Sequence, residues 1–251
     1  MKVLCITQAR LGSSRLPNKV LMEIYEKKSL IDCHMERVRR SKLISKHVIA
    51  VPDNNENLTL KRHCVERGYE YFGGSETDVL KRFFDLAKNE CMNKNDLIVR
   101  LTGDCPLICP NLIDFVIENH LSTQTDYSSL DLNFHPRGFD VEVFTLTALN
   151  EAHNSCKDIA LREHVTPFIY DVSNSFSVQS VHCGKPNWSN YRLCVDYQCD
   201  LELIVSIAKN LQSWSLAGHT QICRLLDQDH TLRNINIECM QLNTFTVQNR
   251  N

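Results

Sequence analysis

The sequence predicts an α/β fold with a mainly parallel sheet flanked by helices, carried by a single domain over residues 1–251. Two observations predict it. Apolar runs of strand length alternate with amphipathic stretches of helical spacing, and a strand–helix–strand succession implies parallel pairing. The chain is also long enough to bury a core that needs no disulfide support.

The elements follow in order. "KVLCIT" is a buried strand, "SLIDCHMERVRRSK" a helix, "HVIAV" a second strand and "NENLTLKRHCVERG" a helix stopped by Gly68. "YEYF" is a short strand. "SETDVLKRFFDLAKNEC" places Val79, Leu80, Phe83, Phe84 and Ala87 at helical spacing behind Ser75 as N-cap, and "DLIVRLT" is again a buried strand. Beyond about Asp126 the regularity weakens into strand pieces with a bend at His135 to Gly138, then a helix. "YRLCVDYQCDLELIVSIAKNL" predicts a strand running through a loop into a helix, and "HTQICRLLDQDHTL" a last helix. The tail "ECMQLNTFTVQNRN" has no clear period. In such a fold, ligands gather outside the carboxyl ends of the strands, where the loop after the first strand lies.

Charge and composition narrow the function. With 28 Lys and Arg against 30 Asp and Glu, net charge −2, the chain lacks the general basic surface that nucleic acid attracts, so any anion site is local. The apolar run in "MKVLCITQAR" is too short for a signal-peptide core, and no stretch reaches a membrane span; a cytoplasmic protein without membrane insertion is expected. The 12 cysteines show no CxxC pair and are read as reduced thiols. Cys105 with Cys109, and Cys194 with Cys199, lack the matching half that a zinc site needs.

The loop "QARLGSSRLPNKVL" sets Arg10, Arg15 and Lys19 around Gly12, Ser13 and Ser14. It is neither a Walker loop nor a dinucleotide fingerprint. Backbone N–H groups there can approach phosphate oxygens while the three cations converge, if the loop folds back; a solvated basic loop is the alternative. "VRLTGDCPLI" puts Asp104 just past a buried strand, facing the ligand crevice or capping the next turn. "RLCVDYQCDLE" offers Asp196 at another strand end. Two such carboxylates suit one magnesium ion, whereas Asp200 suits the start of its helix.

Together, "QARLGSSRLPNKVL", "FGGSETDVLKRFFDLA", "VRLTGDCPLI", "HPRGFDVEVF", "REHVTPFI" and "RLCVDYQCDLE" resemble the cytidylyltransferases that make CMP-activated sugars, in the spore-coat polysaccharide and pseudaminic acid branch. The likeness spans roughly Met1 to Ile207. It implies a Rossmann-like nucleotidyltransferase fold, Mg²⁺ as cofactor, and a reaction of CTP with a sugar that releases pyrophosphate. It gives the triphosphate to Arg10, Arg15 and Lys19, with Gln8, Ala9, Gly12, Ser13 and Ser14, and the metal to Asp104 and Asp196. Ser75, Asp78 and Arg82 fall on the nucleoside side, although an ordinary capped helix start explains Ser75 as well.

The sugar side is expected from His135, Arg137, Asp140 and Glu142 with Arg162, Glu163 and His164. An acidic sugar suits Arg137, while Arg162 and Glu163 can pair with each other and His164 can be a packed core residue. The resemblance further implies a nonulosonic acid or similar bacterial sugar and a homodimer. On this reading residues 1–125 mainly bind nucleotide, and residues 126–251 bind sugar and form the dimer. Two departures stand out: Asn18 replaces a usual glycine, which Asn tolerates in left-handed backbone, and Pro52–Asp53 replaces a usual Thr or Ser. A metal-dependent glycosyltransferase and a non-catalytic nucleotide-binding protein are the competing readings.

Overall fold

The first strand, β1 (Val3–Gln8), has no exposed residue and lies between two parallel neighbours, which is why its sequence is a continuous apolar run instead of an alternating one. The structure is a computed structural model and describes residues 1–239. The tail without a clear period lies almost wholly outside the described residues.

After β1 and its loop, a short hairpin, β2 (Glu23–Tyr25) and β3 (Lys28–Ser29), leads into α1 (Leu30–Val38), whose start is fixed by a capping box between Ser29 and Asp32. β4 (Lys46–Pro52) and α2 (Leu58–Arg67) follow; α2 ends at Gly68 in left-handed conformation. Next come β5 (Tyr71–Gly74), α3 (Val79–Asn89), β6 (Leu97–Thr102), α4 (Pro110–Thr123), β7 (Tyr127–Leu130) and β8 (Glu142–Thr145). The remainder is α5 (Leu146–Ser155), α6 (Ile159–His164), α7 (Pro167–Tyr170), β9 (Val178–Val181), α8 (Gln198–Asn210), α9 (His219–Gln228) and α10 (His230–Arg233).

The large sheet has the order β5-β4-β1-β6-β8-β7-β9. The pairings of β8 with β6 and with β7 are antiparallel and the rest parallel, so β8 alone runs against the other strands. One apolar cluster fills the face covered by α1, α4, α8 and α9, and a second the face under α3 and α5. The mainly parallel sheet flanked by helices is therefore as expected. The order reverses at β1, with β4 on one side and β6 on the other, and this opens a crevice at their carboxyl ends. The loop after β1 and the loop after β6 both reach it.

Three local expectations are corrected. The α3 cap is Asp78, whose carboxylate accepts from the Lys81 N–H, while the Ser75 hydroxyl accepts from the Asp78 N–H three residues earlier. "YRLCVD" forms no strand beyond one bridge, Arg192 with Arg137. Leu193 and Val195 are buried, but their N–H groups donate to Arg137 and Asp104 carbonyls on two different loops, so no ladder continues. Finally, Cys199 is disulfide-bonded to Cys239, which overturns the reading of every cysteine as a reduced thiol. The fold brings the first turn of α8 beside the segment after α10, a proximity that sequence spacing does not reveal.

Candidate active site

The loop after β1 folds back on itself. The Ser13 and Asn18 N–H groups both donate to the Leu11 carbonyl, and the Leu16 N–H donates to the Ser13 hydroxyl. Ser13 therefore gives its own N–H and one hydroxyl lone pair to holding the loop. Buried Asn57 anchors the turn by accepting from the Leu11 N–H at 2.9 Å. Asn18 takes left-handed backbone at φ 59°, as its type permits, and Lys19 follows on a single 3₁₀ turn that points its side chain inward.

Lys19 reaches the centre of the crevice. Its Nζ donates to Asp104 at 2.8 Å, to Asp196 at 2.8 Å and to the Val195 carbonyl at 2.7 Å. Arg15 lies 2.8 Å from the same Asp196 oxygen, with its guanidinium 5.2 Å from the Tyr197 ring centre. Of the predicted phosphate and metal groups, the structure thus brings Arg15, Lys19, Asp104 and Asp196 together. Burial is the largest influence on the Asp104 carboxyl and would raise it, but the charge and hydrogen bond of Lys19, with a Thr102 hydrogen bond, hold it down to about 2. Burial likewise favours loss of the Lys19 proton, yet the two carboxylates outweigh it and raise the ammonium above its usual range.

Close backbone approach builds this centre. A Cβ on Gly103 would lie 3.0 Å from the Ala9 side chain and 3.2 Å from the Gln8 carbonyl, so any larger residue would push the β6 loop a few tenths of an ångström off the end of β1. Gly138, at φ 107°, lies against the Leu193 backbone, where a Cβ would stand 2.5 Å from the carbonyl carbon. That contact brings the 137–140 loop to the segment carrying Asp196.

Arg192 was missed by the sequence reading. It is buried, donates to Asp196 at 2.6 Å and to both oxygens of Asp200, and so fixes the orientation of the Asp196 carboxylate. Asp200 also accepts from the Asp196 and Tyr197 N–H groups and from Asn236. This bears out its assignment to the helix start. The ligand atoms of Cys199, Asp200 and Cys239 gather within 4.8 Å, but both sulfurs are in the disulfide and the carboxylate is saturated by donors. The only signal for Arg192 was its place four residues before Asp196.

The other expected residues separate into groups. Arg82 is buried against Gly74, donates to the Ser75 carbonyl and leaves its Nε without a partner. Asp78 pairs with Arg162 at 2.9 Å, and Arg162 also donates to the His153 and Cys156 carbonyls, so this pair joins α6 to the start of α3. Gln8 accepts from Arg100. Glu142 is engaged by Arg100, by the Tyr127 hydroxyl at 2.6 Å and by the Thr166 hydroxyl at 2.7 Å. Arg10 and Glu163 are about half exposed and 3.6 Å apart. Arg137 lies 3.5 Å from Asp140. Burial, the largest influence, raises the Asp140 carboxyl against the pull of Arg137, and the nearby Asp104 charge raises it further. His135 is enclosed; burial lowers its ring to about 4, and its Nε2 accepts from the Cys183 N–H. His164 is half-buried beside Arg100, and burial with that charge favours its neutral form.

Comparison with known proteins gives the family. The family described as Cytidylyltransferase matches residues 4–228. The chain belongs to the cytidylyltransferase family. It is 34% identical over 244 residues to the uncharacterized protein MJ1063 of Methanocaldococcus jannaschii, covering 96% of this chain and 97% of that one. It is also 34% identical over 233 residues to the spore coat polysaccharide biosynthesis protein SpsF of Bacillus subtilis, covering 90% and 95%. A solved cytidylyltransferase from Leptospira borgpetersenii serovar Hardjo-bovis superposes with TM-score 0.86 at 26% identity, over 97% of this chain and all of that one. This cytidylyltransferase is thus a CTP-dependent nucleotidyltransferase. Among its described residues no helix is long and apolar enough to cross a membrane.

Proposed function

We propose that the protein transfers CMP from CTP to a hydroxyl of an acidic sugar such as a nonulosonic acid, releasing pyrophosphate, with Mg²⁺ as the metal. The observation that carries this reading is the convergence of Lys19 and Arg15 on Asp104 and Asp196 at the switch point of the sheet. An ammonium standing 2.8 Å from both carboxylates marks a place built for a cation, and the donors are the hard oxygens Mg²⁺ prefers. Asp104 and Asp196 would hold the ion, and when bound it neutralises charge on the triphosphate oxygens.

The protein's own residues supply the remaining steps. Lys19 and Arg15 leave the carboxylates for phosphate oxygens as CTP enters, and Arg10 joins them from the rim. Fixed cations in a crevice stabilise the charge that grows on the α-phosphoryl oxygens and the leaving pyrophosphate as the sugar hydroxyl attacks phosphorus. Gln8, Ala9, Gly12 and Ser14 line the triphosphate path, with Ser13 holding the loop's shape. Arg82, with Ser75 and Asp78, borders the nucleoside. Arg137, Asp140, Glu163 and His164 face the sugar, and Arg137 pairs with its carboxylate. Glu142, Arg162 and enclosed His135 shape this side from behind.

Residues 1–125 serve mainly the nucleotide, and the later part the sugar and a homodimer contact, although Asp196 places one metal ligand in that later part. Incubation with CTP, Mg²⁺ and a panel of acidic and neutral sugars tests the reading. A CMP-sugar detected by mass spectrometry with acidic sugars only supports it; products from neutral sugars alone would assign Arg137 another task.

A further inference from the structure

Beneath the loop that carries Asp104 runs a chain of buried polar groups to which the proposed reaction gives no role. His34 of α1 is fully buried; its Nδ1 lies 2.9 Å from the Cys105 carbonyl, and its Nε2 lies 2.9 Å from the Thr7 hydroxyl. Thr7, on β1 and also fully buried, is in turn 2.8 Å from His47 Nε2 on β4. His47 Nδ1 is buried and has no partner.

The direction of every hydrogen bond follows from the last acceptor. A carbonyl oxygen can only accept, so His34 carries its proton on Nδ1. Burial keeps that ring neutral, so its Nε2 offers a lone pair and the Thr7 hydroxyl donates to it. With its one proton spent, Thr7 accepts from the His47 Nε2–H. His47 Nδ1 is then left as a bare lone pair, which matches its lack of a partner. One arrangement of protons satisfies the whole chain.

We infer that His34 is a positioning residue for the metal site: its Nδ1–H holds the Cys105 carbonyl and, through that peptide, the loop presenting Asp104. The inference rests on the proposed metal-dependent reading. A buried polar chain is costly compared with apolar packing and is retained where it specifies one geometry. Here it ties three elements, β1, α1 and β4, to the residue following a predicted metal ligand. The Ile108 N–H also donates to the same carbonyl, but at 3.3 Å, so His34 makes the shorter contact.

Three variants of the full chain separate positioning from packing. In His34→Asn the side-chain amide places a donor where Nδ1 stands; His34→Gln reaches only toward Nε2; His34→Leu provides neither. His34→Asn and His34→Leu lose the link to Thr7 and should lower the melting temperature, whereas His34→Gln can keep that link and should lower it less. The dissociation constant of Mn²⁺ in the presence of CTP, read by electron paramagnetic resonance, should rise about tenfold in His34→Gln and His34→Leu, on the scale of outer-shell losses at metal sites. In His34→Asn it should stay within about twofold of wild type. Ring ¹⁵N shifts of the wild-type protein should show protonated Nδ1 on His34 and protonated Nε2 on His47. Equal metal weakening in all three variants, no weakening in any, or a His34 protonated at Nε2 alone, would overturn the inference. Absence of Mn²⁺–CTP binding by wild type would instead refute the metal-dependent reading, and the ¹⁵N shifts would still decide the hydrogen-bond chain.

Discussion

The ammonium of Lys19 sits between Asp104 and Asp196, 2.8 Å from an oxygen of each. Without nucleotide, the carboxylates proposed for the metal are thus neutralised by the cation proposed for the triphosphate. Binding of CTP and metal then becomes an exchange of partners, so free metal should bind weakly. Titration of Mn²⁺ without CTP checks this: Lys19→Met should bind the free ion about tenfold more tightly than wild type, equivalent to about 1.4 kcal/mol. Unchanged affinity would contradict the exchange.

Arg15 shares the Asp196 oxygen with Lys19 and lies by the Tyr197 ring. Arg15→Ala should lower turnover on the order of 10²- to 10³-fold, or about 3 to 4 kcal/mol, as loss of one preorganised charge-stabilising group does. Its melting temperature should barely move. Steady-state kinetics with circular dichroism read both quantities, and a variant keeping more than about a third of wild-type turnover would remove Arg15 from the mechanism.

Acid stability carries the mark of Asp104. Its carboxyl is held down to about 2 in the folded protein against an ordinary value of 3.8, so its deprotonated form favours folding. That contribution is complete above about pH 4 and is lost as pH falls from there through about 2, on the order of 2 kcal/mol in all. Denaturant titrations across that window should show a shallower decline for Asp104→Asn than for wild type. Parallel declines would show that the Lys19 contact contributes nothing to folding.

Glu142 and Glu163 were expected on the same side of the ligand, but the fold treats them differently. Removing the Glu142 charge strands Arg100 in the sheet, so Glu142→Gln should cost about 3 to 5 kcal/mol of stability. Glu163, half exposed and 3.6 Å from Arg10, should tolerate Gln within about 0.5 kcal/mol and show its effect in the sugar KM instead. Chemical denaturation and sugar-dependence curves measure the two effects separately.

The sequence made the skeleton of this site legible because strand-end residues in a parallel sheet face a common crevice. Arg15 and Lys19 in the loop after β1, and Asp104 just past β6, could therefore be named from position, whereas Asp196 was named from an apparent strand that does not form. Arg192, Asn57 and His34 could not be named, since each acts through a partner brought near only by folding; His34 and Cys105 are 71 positions apart. The apolar "LCV" after Arg192 suggested a strand because burial, not pairing, dictates those residues. Glu142 looked like a ligand group because nothing local announces that Arg100, Tyr127 and Thr166 will occupy it. The Cys199–Cys239 bond was hidden for the same reason.

The most direct test of cytidylyl transfer at this crevice is pyrophosphate release with each of the four ribonucleoside triphosphates and an acidic-sugar panel, with Mg²⁺ and then with EDTA. Release with CTP alone, abolished by EDTA and lost in Asp104→Asn and Asp196→Asn, is the predicted result. Release that persists in EDTA or in both aspartate variants, or that is equal with all four nucleotides, would contradict the account.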